Sequence, residues 1–330
     1  MADYLYGSAH VRVLENAIVG KERLARLVQT SSLADAYALL SEFGVSLVHD
    51  AEGKILREES LLGILKKAYL TVAELTPDST ALRLWRYPYD CNNLKAAIKC
   101  FVREIDPTPM LFDFGTVEAD RLISCVEKRD FSAFPSAMQK GADEALDAYA
   151  KTRNPQSVDL ILDRACFEDM RSTAEDCKDA FTQSLVRIKT DLTNVMMTLR
   201  VLRMSMADAG RILLEQALLG DSKVGETSLL SIYESGEDAL WQSLRHSRYE
   251  RFAEQALASD MTLSTLERLA DDCLMEEVKQ TKFIPVGLEV MVAFLLAHEY
   301  EVRNLRIVLA GKEAGLDAAT IRERIRESYV

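Results

Sequence analysis

The amino-acid sequence predicts an all-α fold, and three observations carry this prediction. The chain of 330 residues contains only 14 Gly and 7 Pro, which is about half of average usage. Apolar residues recur at intervals of three and four along almost the whole length, the spacing of amphipathic helices. Several of these helical stretches begin with capping residues. Together the three features exclude collagen-like, linker-rich and turn-dense all-β architectures.

The first clearly capped helix begins after Ser32, which is followed three residues later by Asp35, and Gly44 is placed to end it. The next helix stops before the Thr76-Pro77-Asp78 turn. Its apolar stripe consists of Leu61, Leu62, Leu65, Ala68, Tyr69 and Val72. Between these two helices, the segment 45–56 is the only place where we expect extended structure.

Three later helix starts carry equally clear signals. Asn154 is a cap and Pro155 occupies the first helical position, so a long helical stretch begins there. Thr262 caps a helix whose apolar residues are Leu263, Leu266, Leu269, Leu274 and Val278. A final helix after Asp317 is expected to carry Ile321, Ile325 and Tyr329.

The formal charge of −12 is unevenly distributed, because residues 205–280 hold 15 Asp and Glu against 7 Lys and Arg. An acidic chain is not expected to bind nucleic acid or anionic lipid through counterion release. We interpret the 205–280 stretch as a solvated acidic surface that suits a partner with a basic surface.

Other features concern the cellular compartment. The longest apolar run, Val290–Ala297, has eight residues, whereas a membrane span needs about 18 or more. The N-terminus shows no basic region followed by an apolar stretch. The six cysteines are far apart and form no Cys-x-x-Cys, which indicates reduced thiols. We therefore expect a cytoplasmic protein.

Three segments share one local pattern, in which an acidic residue precedes an asparagine by three positions. One aliphatic residue follows the asparagine directly and another comes five positions after it. The acid–asparagine pairs are Asp90 and Asn93, Asp191 and Asn194, and Glu301 and Asn304. The asparagines are 101 and 110 positions apart. This spacing predicts three tandem helical units, approximately 1–106, 107–220 and 221–330.

A second pattern supports the repeat. Val126, Phe131 and Phe134 match Leu244, Tyr249 and Phe252 in spacing, and each set ends one helix and starts another. An acid and an asparagine three apart lie on one face of a helix. We expect them to bond to each other or to the end of a neighbouring helix and so to fix how helices cross. We predict no catalytic, cofactor-binding or metal-binding residue among them.

Two apparent ligand motifs fail on inspection. Residues 220–227 carry the glycines and threonine of a phosphate-binding loop, but Glu226 occupies the position that needs lysine and would repel phosphate. His298-Glu299 begins a zinc-protease helix that lacks its second histidine, and the other histidines are scattered. We therefore predict neither direct nucleotide binding nor a metal.

With these motifs rejected, the chain resembles a protein that holds or transmits and does not catalyse a reaction. Two alternatives to this interpretation remain open. Asp271, Asp272 and Glu276 resemble the aspartate-rich magnesium motif of all-α terpenoid synthases, although Met275 stands where a third acid is needed. This leaves an all-α magnesium-dependent enzyme as one alternative, although a solvated acidic helix face is the favoured interpretation. A general helical scaffold is the other, but scaffold repeats of about 34–47 residues are much shorter than the spacing seen.

Three stretches together resemble the V-type ATPase C/d family, which includes the C subunits of prokaryotic V/A-type ATP synthases and the d subunits of eukaryotic vacuolar ATPases. They are Tyr6–Glu15, Tyr89–Lys95, and Glu299 through Asn304 and Lys312 to Val330. The resemblance spans the whole length. His10 departs from it, since a smaller or basic residue is expected there.

The resemblance implies a funnel of three similar helical units around a pseudo-threefold axis. It implies a central-stalk rotor subunit that receives the shaft subunits (D and F type) in its mouth and sits on the membrane proteolipid ring. Such a protein transmits the torque that couples ATP synthesis or hydrolysis to ion transport, including hydrogen ion transport. It carries no catalytic residue or cofactor, is peripheral on the cytoplasmic side of the membrane, and is a monomer when isolated.

Overall fold

The computed structural model of the chain describes residues 4–76, 80–204, 207–220, 223–224, 227–258 and 261–330. Helices account for most of these residues, so the all-α prediction is confirmed. In chain order the helices are α1 (Leu5–Leu14), α2 (Lys21–Gln29), α3 (Leu33–Glu42), α4 (Arg57–Leu75), α5 (Thr80–Arg83), α6 (Tyr87–Arg103), α7 (Ala119–Lys128), α8 (Ser136–Thr152), α9 (Pro155–Cys177), α10 (Ala180–Arg203), α11 (Ala207–Ala217), α12 (Leu229–Ser235), α13 (Glu237–Arg245), α14 (Glu250–Leu257), α15 (Leu263–Lys279), α16 (Leu288–Glu313) and α17 (Ala318–Arg324). Short 3-10 helices lie at Glu15–Ala17, Leu84–Arg86, Thr108–Met110 and Gln280–Phe283.

The predicted caps are confirmed. The side chains of Ser32, Asn154 and Thr262 accept hydrogen bonds from backbone N–H groups in the first turns of α3, α9 and α15, at 3.0–3.2 Å. Gly44 follows α3 with φ of +87°, a conformation that glycine adopts without steric cost. These caps satisfy backbone groups that a helix end leaves unpaired.

The chain falls into two compact units. One comprises Met1–Ser79 and Glu254–Val330, and the other comprises Thr80–Ala253. The three-unit division at 106 and 220 stays a prediction.

The unit formed by the two ends of the chain is built around α16. Its first half includes Val290–Ala297, and every side chain in this run is at most 4% exposed. An apolar helix of this kind must be covered on all sides. In this unit α16 packs against α1, α2, α3, α4, α15 and α17. The apolar run that the sequence showed is therefore the centre of the core of this unit. No described helix is both long and apolar enough to cross a membrane.

The middle unit is built around α6 and α9, which pack against each other and against their neighbours α7, α8 and α10. The Cα of Gly141 in α8 approaches α9 so closely that an added Cβ would lie 2.8 Å from the Cβ of Ala165.

The N-terminus of α8 has no cap from its own sequence, and the buried Asp169 of α9 supplies one. Its two oxygens accept from the N–H groups of Ala137 and Met138 at 2.9 and 2.7 Å.

Two predictions about local structure are wrong. The final helix ends at Arg324, so Ile325 and Tyr329 lie beyond it in a segment without regular secondary structure. Extended pairing also occurs outside 45–56. Within 45–56 it is limited to one bridge between His49 and Ile55. By contrast, β1 (Lys223–Val224) and β2 (Thr227–Ser228) form an antiparallel ribbon at the rejected phosphate-binding motif.

Candidate functional site

Each of the three predicted asparagines makes the same pair of hydrogen bonds. Its Nδ2 donates to the backbone oxygen of a residue 19 to 25 positions later, and its Oδ1 accepts from the N–H of that same residue. The partners are Phe112 for Asn93, Leu219 for Asn194 and Arg326 for Asn304, and the six bonds measure 2.8–3.0 Å. We call each such pair an asparagine clamp.

All three asparagines are at most 1% exposed. A buried side-chain amide needs hydrogen-bond partners, and so do buried backbone groups. The clamp meets both needs at once, because one amide satisfies a backbone donor and a backbone acceptor. Removing the amide would leave two backbone groups unpaired, at a cost of about 1–3 kcal/mol for each group that water cannot reach.

The first clamp holds a loop onto α6. Asn93 binds Phe112, and Asp90, one turn earlier, binds the other end of the same loop. The Oδ2 of Asp90 accepts from the hydroxyl of Thr116 at 2.6 Å, and its Oδ1 accepts from the N–H of Val117 at 3.1 Å. The acid and the asparagine therefore fix residues 112–117 on one face of the helix.

Two further residues complete this first clamp. Arg86, just before α6, donates from Nε to the backbone oxygen of Phe114 at 3.0 Å and from Nη2 to that of Gly115. Gly115 is required sterically, since an added Cβ would lie 2.1 Å from Oδ1 of Asp90. Neither residue stands out in the sequence, because no local pattern indicates that Gly115 lies against Asp90, 25 positions earlier, or that Arg86 binds backbone oxygens 28 and 29 positions later.

The second clamp lies on α10, where the acid and the asparagine hold different segments. Asn194 binds the backbone of Leu219 after α11. The Oδ2 of Asp191 accepts from the hydroxyl of Tyr249 at 2.7 Å, just before α14. Tyr249 matches Phe131 in the second sequence pattern, so the hydroxyl that reaches Asp191 is what distinguishes the two copies.

The third clamp lies on α16 and holds segments from both ends of the chain. Asn304 binds the backbone of Arg326 in the C-terminal segment. Glu301 accepts from the N–H of Val19 at 2.7 Å through Oε1, and its Oε2 lies 2.6 Å from Nδ1 of His298. The histidine of the incomplete zinc motif thus forms a partly buried pair with the acid of the clamp.

Two of the three acids of the magnesium alternative, Asp271 and Asp272, bind the same C-terminal segment. Asp272 accepts from the N–H of Glu327 at 2.6 Å, and Asp271 accepts from Nε of Arg326 at 3.1 Å. Asp271 also forms an ion pair with Arg303 at 2.6 Å. In the described parts of the chain, no group of three or more His, Cys, Asp or Glu side chains is arranged to hold a metal ion. Asp271 and Asp272 therefore have structural partners.

Tyr329 holds the end of the C-terminal segment against α1 and the residue that follows it. Its side chain is 1% exposed, and its hydroxyl accepts from Nη1 of Arg12 at 2.9 Å and donates to Oε1 of Glu15 at 3.2 Å. Arg12 and Glu15 are themselves paired at 2.7 Å. The backbone oxygen of Val330 accepts from the N–H of Lys21 at 3.0 Å. These bonds explain why residues 325–330 leave the helical path that their apolar spacing predicts.

Burial changes the pKa of three carboxyl groups that lie beside the clamps. It raises the pKa of the carboxyls of Asp90, Asp191 and Asp272, although hydrogen bonds from neighbouring donors oppose the rise. Burial, together with the charge of Asp191, also raises the pKa of the Tyr249 hydroxyl. The donors that face these carboxylates are backbone N–H groups, hydroxyls and, for Asp272, the guanidinium of Arg268. The arrangement is suited to holding segments in place.

The structure describes only some of the residues named in the remaining sequence hypotheses. Glu226, Pro77 and Asp78 lie outside the described residues. In the acidic 205–280 stretch, several acids form ion pairs with arginines of the chain. These pairs are Glu215 and Glu234 with Arg211, Glu237 with Arg203, and Asp272 with Arg268. Part of the acidity of this stretch is therefore compensated internally.

Comparison with known proteins identifies relatives over nearly the full length. The family model of the ATP synthase (C/AC39) subunit matches residues 8–324. The C subunit of the V-type sodium ATPase from Enterococcus hirae is 23% identical over 324 residues, covering 97% of both chains. The C subunit of the A-type ATP synthase from Methanocaldococcus jannaschii is 21% identical and covers 98% of this chain and 86% of the relative. The C subunit of the V-type ATP synthase from Thermus thermophilus is 22% identical and covers 98% of each.

Proposed function

The chain belongs to the ATP synthase (C/AC39) subunit family, and from this premise we propose that it is the central-stalk rotor subunit of a V/A-type ATP synthase. In this role it joins the rotor shaft to the membrane proteolipid ring. It transmits the torque that couples ATP synthesis or hydrolysis to ion translocation. The catalytic residues belong to other subunits of the complex.

The observation that carries this proposal is the family match over residues 8–324. It leaves only short terminal stretches unmatched, so the role concerns the whole chain and not one module of it. The relatives of similar length are named as C subunits of V-type ATPases and ATP synthases, which supports the same role here.

The clamps give the proposal a physical basis. A rotor component that passes torque must resist deformation, and its packed helices provide stiffness. Its non-helical segments must then be fixed to those helices, since unsupported loops are the mobile parts of a protein. The clamps at Asn93, Asn194 and Asn304 fix three such segments with paired hydrogen bonds. Three similar clamps also support a build of three related helical units.

The partners that we propose are the shaft subunits of D and F type and the proteolipid ring. The acidic 205–280 stretch suits basic residues on the shaft, and the exposed acids Glu250 and Glu254 on α14 lie within it. The protein then lies on the cytoplasmic side of the membrane, held there by protein contacts.

Affinity purification from detergent-solubilised membranes tests the proposal. A tagged chain should retain the shaft subunits and the proteolipid ring together, as identified by mass spectrometry. Glu250→Lys with Glu254→Lys should weaken retention of the shaft in a salt-dependent way. Glu127→Lys with Glu144→Lys is the matched control, because it reverses two exposed acids outside the stretch. Retention of neither shaft nor ring by the wild-type chain would refute the proposed function.

A further inference from the structure

Two buried cysteines meet between α6 and α9 in the middle unit. Cys91 of α6 is 1% exposed and Cys166 of α9 is 3% exposed, and both are free thiols. The Sγ of Cys91 lies 3.4 Å from the backbone oxygen of Leu162 in α9. In an α-helix that oxygen also accepts from the N–H four positions later, which is that of Cys166. Cys91 therefore contacts the turn of α9 that carries Cys166, and the two thiols lie within hydrogen-bonding distance of each other.

The packing of the two helices suits a bond between these sulfur atoms. A disulfide needs Cα atoms that are close, about 4.4–6.8 Å apart, with side chains that face each other. The Sγ of Cys91 reaches the backbone of α9 directly, so no other side chain separates the two helices at this point. Each thiol also has the other as a neighbour. Small rotations of the two side chains are then sufficient to bring the sulfur atoms together.

An ion pair lies between the thiols and the protein surface. The Nζ of Lys95 is 2.5 Å from Oδ1 of Asp163, and the same oxygen is 3.9 Å from the Sγ of Cys91. The side chain of Asp163 is 47% exposed, whereas that of Lys95 is 14% exposed. The carboxylate can accept a proton from Cys91 and pass it to water, and the ammonium group attracts a thiolate. Solvent and a small oxidant are therefore only one residue away from Cys91.

The two thiols are in unequal positions. The hydrogen bond with Cys91 and burial raise the pKa of the Cys166 thiol well above its ordinary value, although the charge of Lys189 opposes the rise. The thiolate, and not the thiol, is the nucleophile in cysteine chemistry. Cys166 therefore stays protonated, and Cys91, with Lys95 and Asp163 beside it, is placed to react first.

We propose that a peroxide converts Cys91 and Cys166 into a disulfide that fastens α6 to α9. The thiolate of Cys91 attacks one peroxide oxygen, the O–O bond breaks, and the departing hydroxide takes up the proton of Cys91 to become water. The sulfenic acid formed on Cys91 is then attacked by the thiol of Cys166. Its S–O bond breaks, the S–S bond forms, and the hydroxide leaves with the proton of Cys166 as a second water. The two sulfurs together lose two electrons, which the two peroxide oxygens gain.

The bond would act on the helix that carries the first clamp. Cys91 lies between Asp90 and Asn93 in α6, and its partner is 75 positions later. Closing a loop of this length restricts the unfolded chain and so stabilises the folded one. Where the surroundings keep thiols reduced, such bonds are usually transient, and thiol–disulfide exchange reverses them. The pair is thus a reversible fastener that responds to oxidant.

Peptide mapping of the native full chain tests the proposal. The chain is treated with hydrogen peroxide, its remaining thiols are alkylated, and trypsin then releases Cys91 in residues 87–95 and Cys166 in residues 165–171. We expect these two peptides to be joined, with a mass equal to their sum less two hydrogens, and dithiothreitol should separate them. Cys166→Ala should abolish the link. Cys100→Ala is the matched control, since Cys100 is a buried cysteine of the same helix, and it should form the link as the wild type does.

Thermal unfolding then tests whether the bond fastens the helices. The oxidised wild type should unfold about 5 °C or more above its reduced form, whereas oxidised Cys166→Ala should show no such gain. An equal or lower unfolding temperature of the linked protein would overturn the fastening role.

The mapping of the wild type does not depend on how well any variant folds. Absence of the link at peroxide concentrations that oxidise the half-buried Cys177 and Cys273 would overturn the proposal. Conversion of Cys91 to sulfinic acid alone, or its linkage to another cysteine or to a second chain, would overturn it too. The proposal goes beyond the proposed function, and retention of shaft and ring by the unoxidised chain tests that function separately.

Discussion

The clamps at Asn194 and Asn93 have the same bond lengths but different surroundings. In both, the side-chain amide forms two 2.8 Å bonds with one backbone residue. The partner of Asn194 is Leu219, which is 3% exposed, whereas the partner of Asn93 is Phe112, which is 44% exposed. We expect water to replace a lost bond at Phe112 but not at Leu219. The comparison therefore predicts that access of water, and not bond geometry, sets what each clamp contributes to stability.

The largest effect is expected from Asn194→Ala. It leaves the N–H and C=O of Leu219 unpaired in a dry environment, so we expect it to lower the free energy of unfolding by about 3 kcal/mol or more. Asn93→Ala should cost only about 1–2 kcal/mol, because solvent reaches Phe112. Urea denaturation of both variants measures the difference. An equal or reversed order would show that bond geometry alone governs the clamps.

A steric change at the Asn93 clamp is expected to come next in size. Gly115→Ala places a Cβ against the carboxylate of Asp90, so the loop must shift, and we expect a loss of about 2 kcal/mol. Gly63→Ala is the control, since Gly63 lies in α4 with no atom within 4 Å of an added Cβ. Because alanine favours a helix interior, this control should gain about 0.5–1 kcal/mol. Thermal unfolding of the two variants should therefore shift in opposite directions.

The third clamp extends the comparison to the C-terminal segment. Tyr329→Phe removes a buried hydroxyl that bonds Arg12 and Glu15, and we expect a loss of about 1–2 kcal/mol. Amide hydrogen exchange should also accelerate at Arg326 and Glu327, since the segment is held at several points and loses one of them. Unchanged exchange at these amides would contradict a fastening role for Tyr329.

The smallest expected effect is a pH dependence at Asp90. Burial raises its pKa above the unfolded value of about 3.9, so the folded state binds this proton more tightly than the unfolded state does. The contribution of this proton to stability is then fully present below about pH 4 and is lost as pH rises through the raised pKa. Asp90→Asn lacks this titration, so its deficit relative to the wild type should grow as pH falls from about 7 to about 4. Urea denaturation across this range measures the deficit, and one that shrinks on acidification would contradict the assignment.

The sequence was sufficient for the helical class and the caps, because these follow from local spacing. It drew attention to the three acid–asparagine pairs but was not sufficient for their partners. Phe112, Leu219 and Arg326 carry no pattern of their own, since a clamp binds backbone groups that every residue possesses. The prediction that the final helix includes Ile325 and Tyr329 was wrong for a related reason. Their apolar spacing fits a helix, but bonds to Asn304, Asp272 and Arg12 hold the segment outside a helix.

The packing of the two chain ends into one compact unit was also not predicted from the sequence. Spacing of the asparagines measures distance along the chain, whereas compact units are defined by packing. In the structure the two ends of the chain pack together around α16, so residues 1–79 and 254–330 share one core. Glu301 illustrates the reason, because its carboxylate binds Val19, which is 282 positions away. No local sequence pattern predicts a contact between two residues that are so far apart along the chain.

The most direct test of the coupling role is to compare ATP hydrolysis with ATP-driven ion transport in purified complexes reconstituted into liposomes. Complexes assembled with this chain should transport ions in proportion to the ATP that they hydrolyse. Complexes that lack it should keep hydrolysing ATP in the soluble head but lose transport, and adding the purified chain should restore it. Transport that stays coupled to hydrolysis in the absence of the chain would contradict the account.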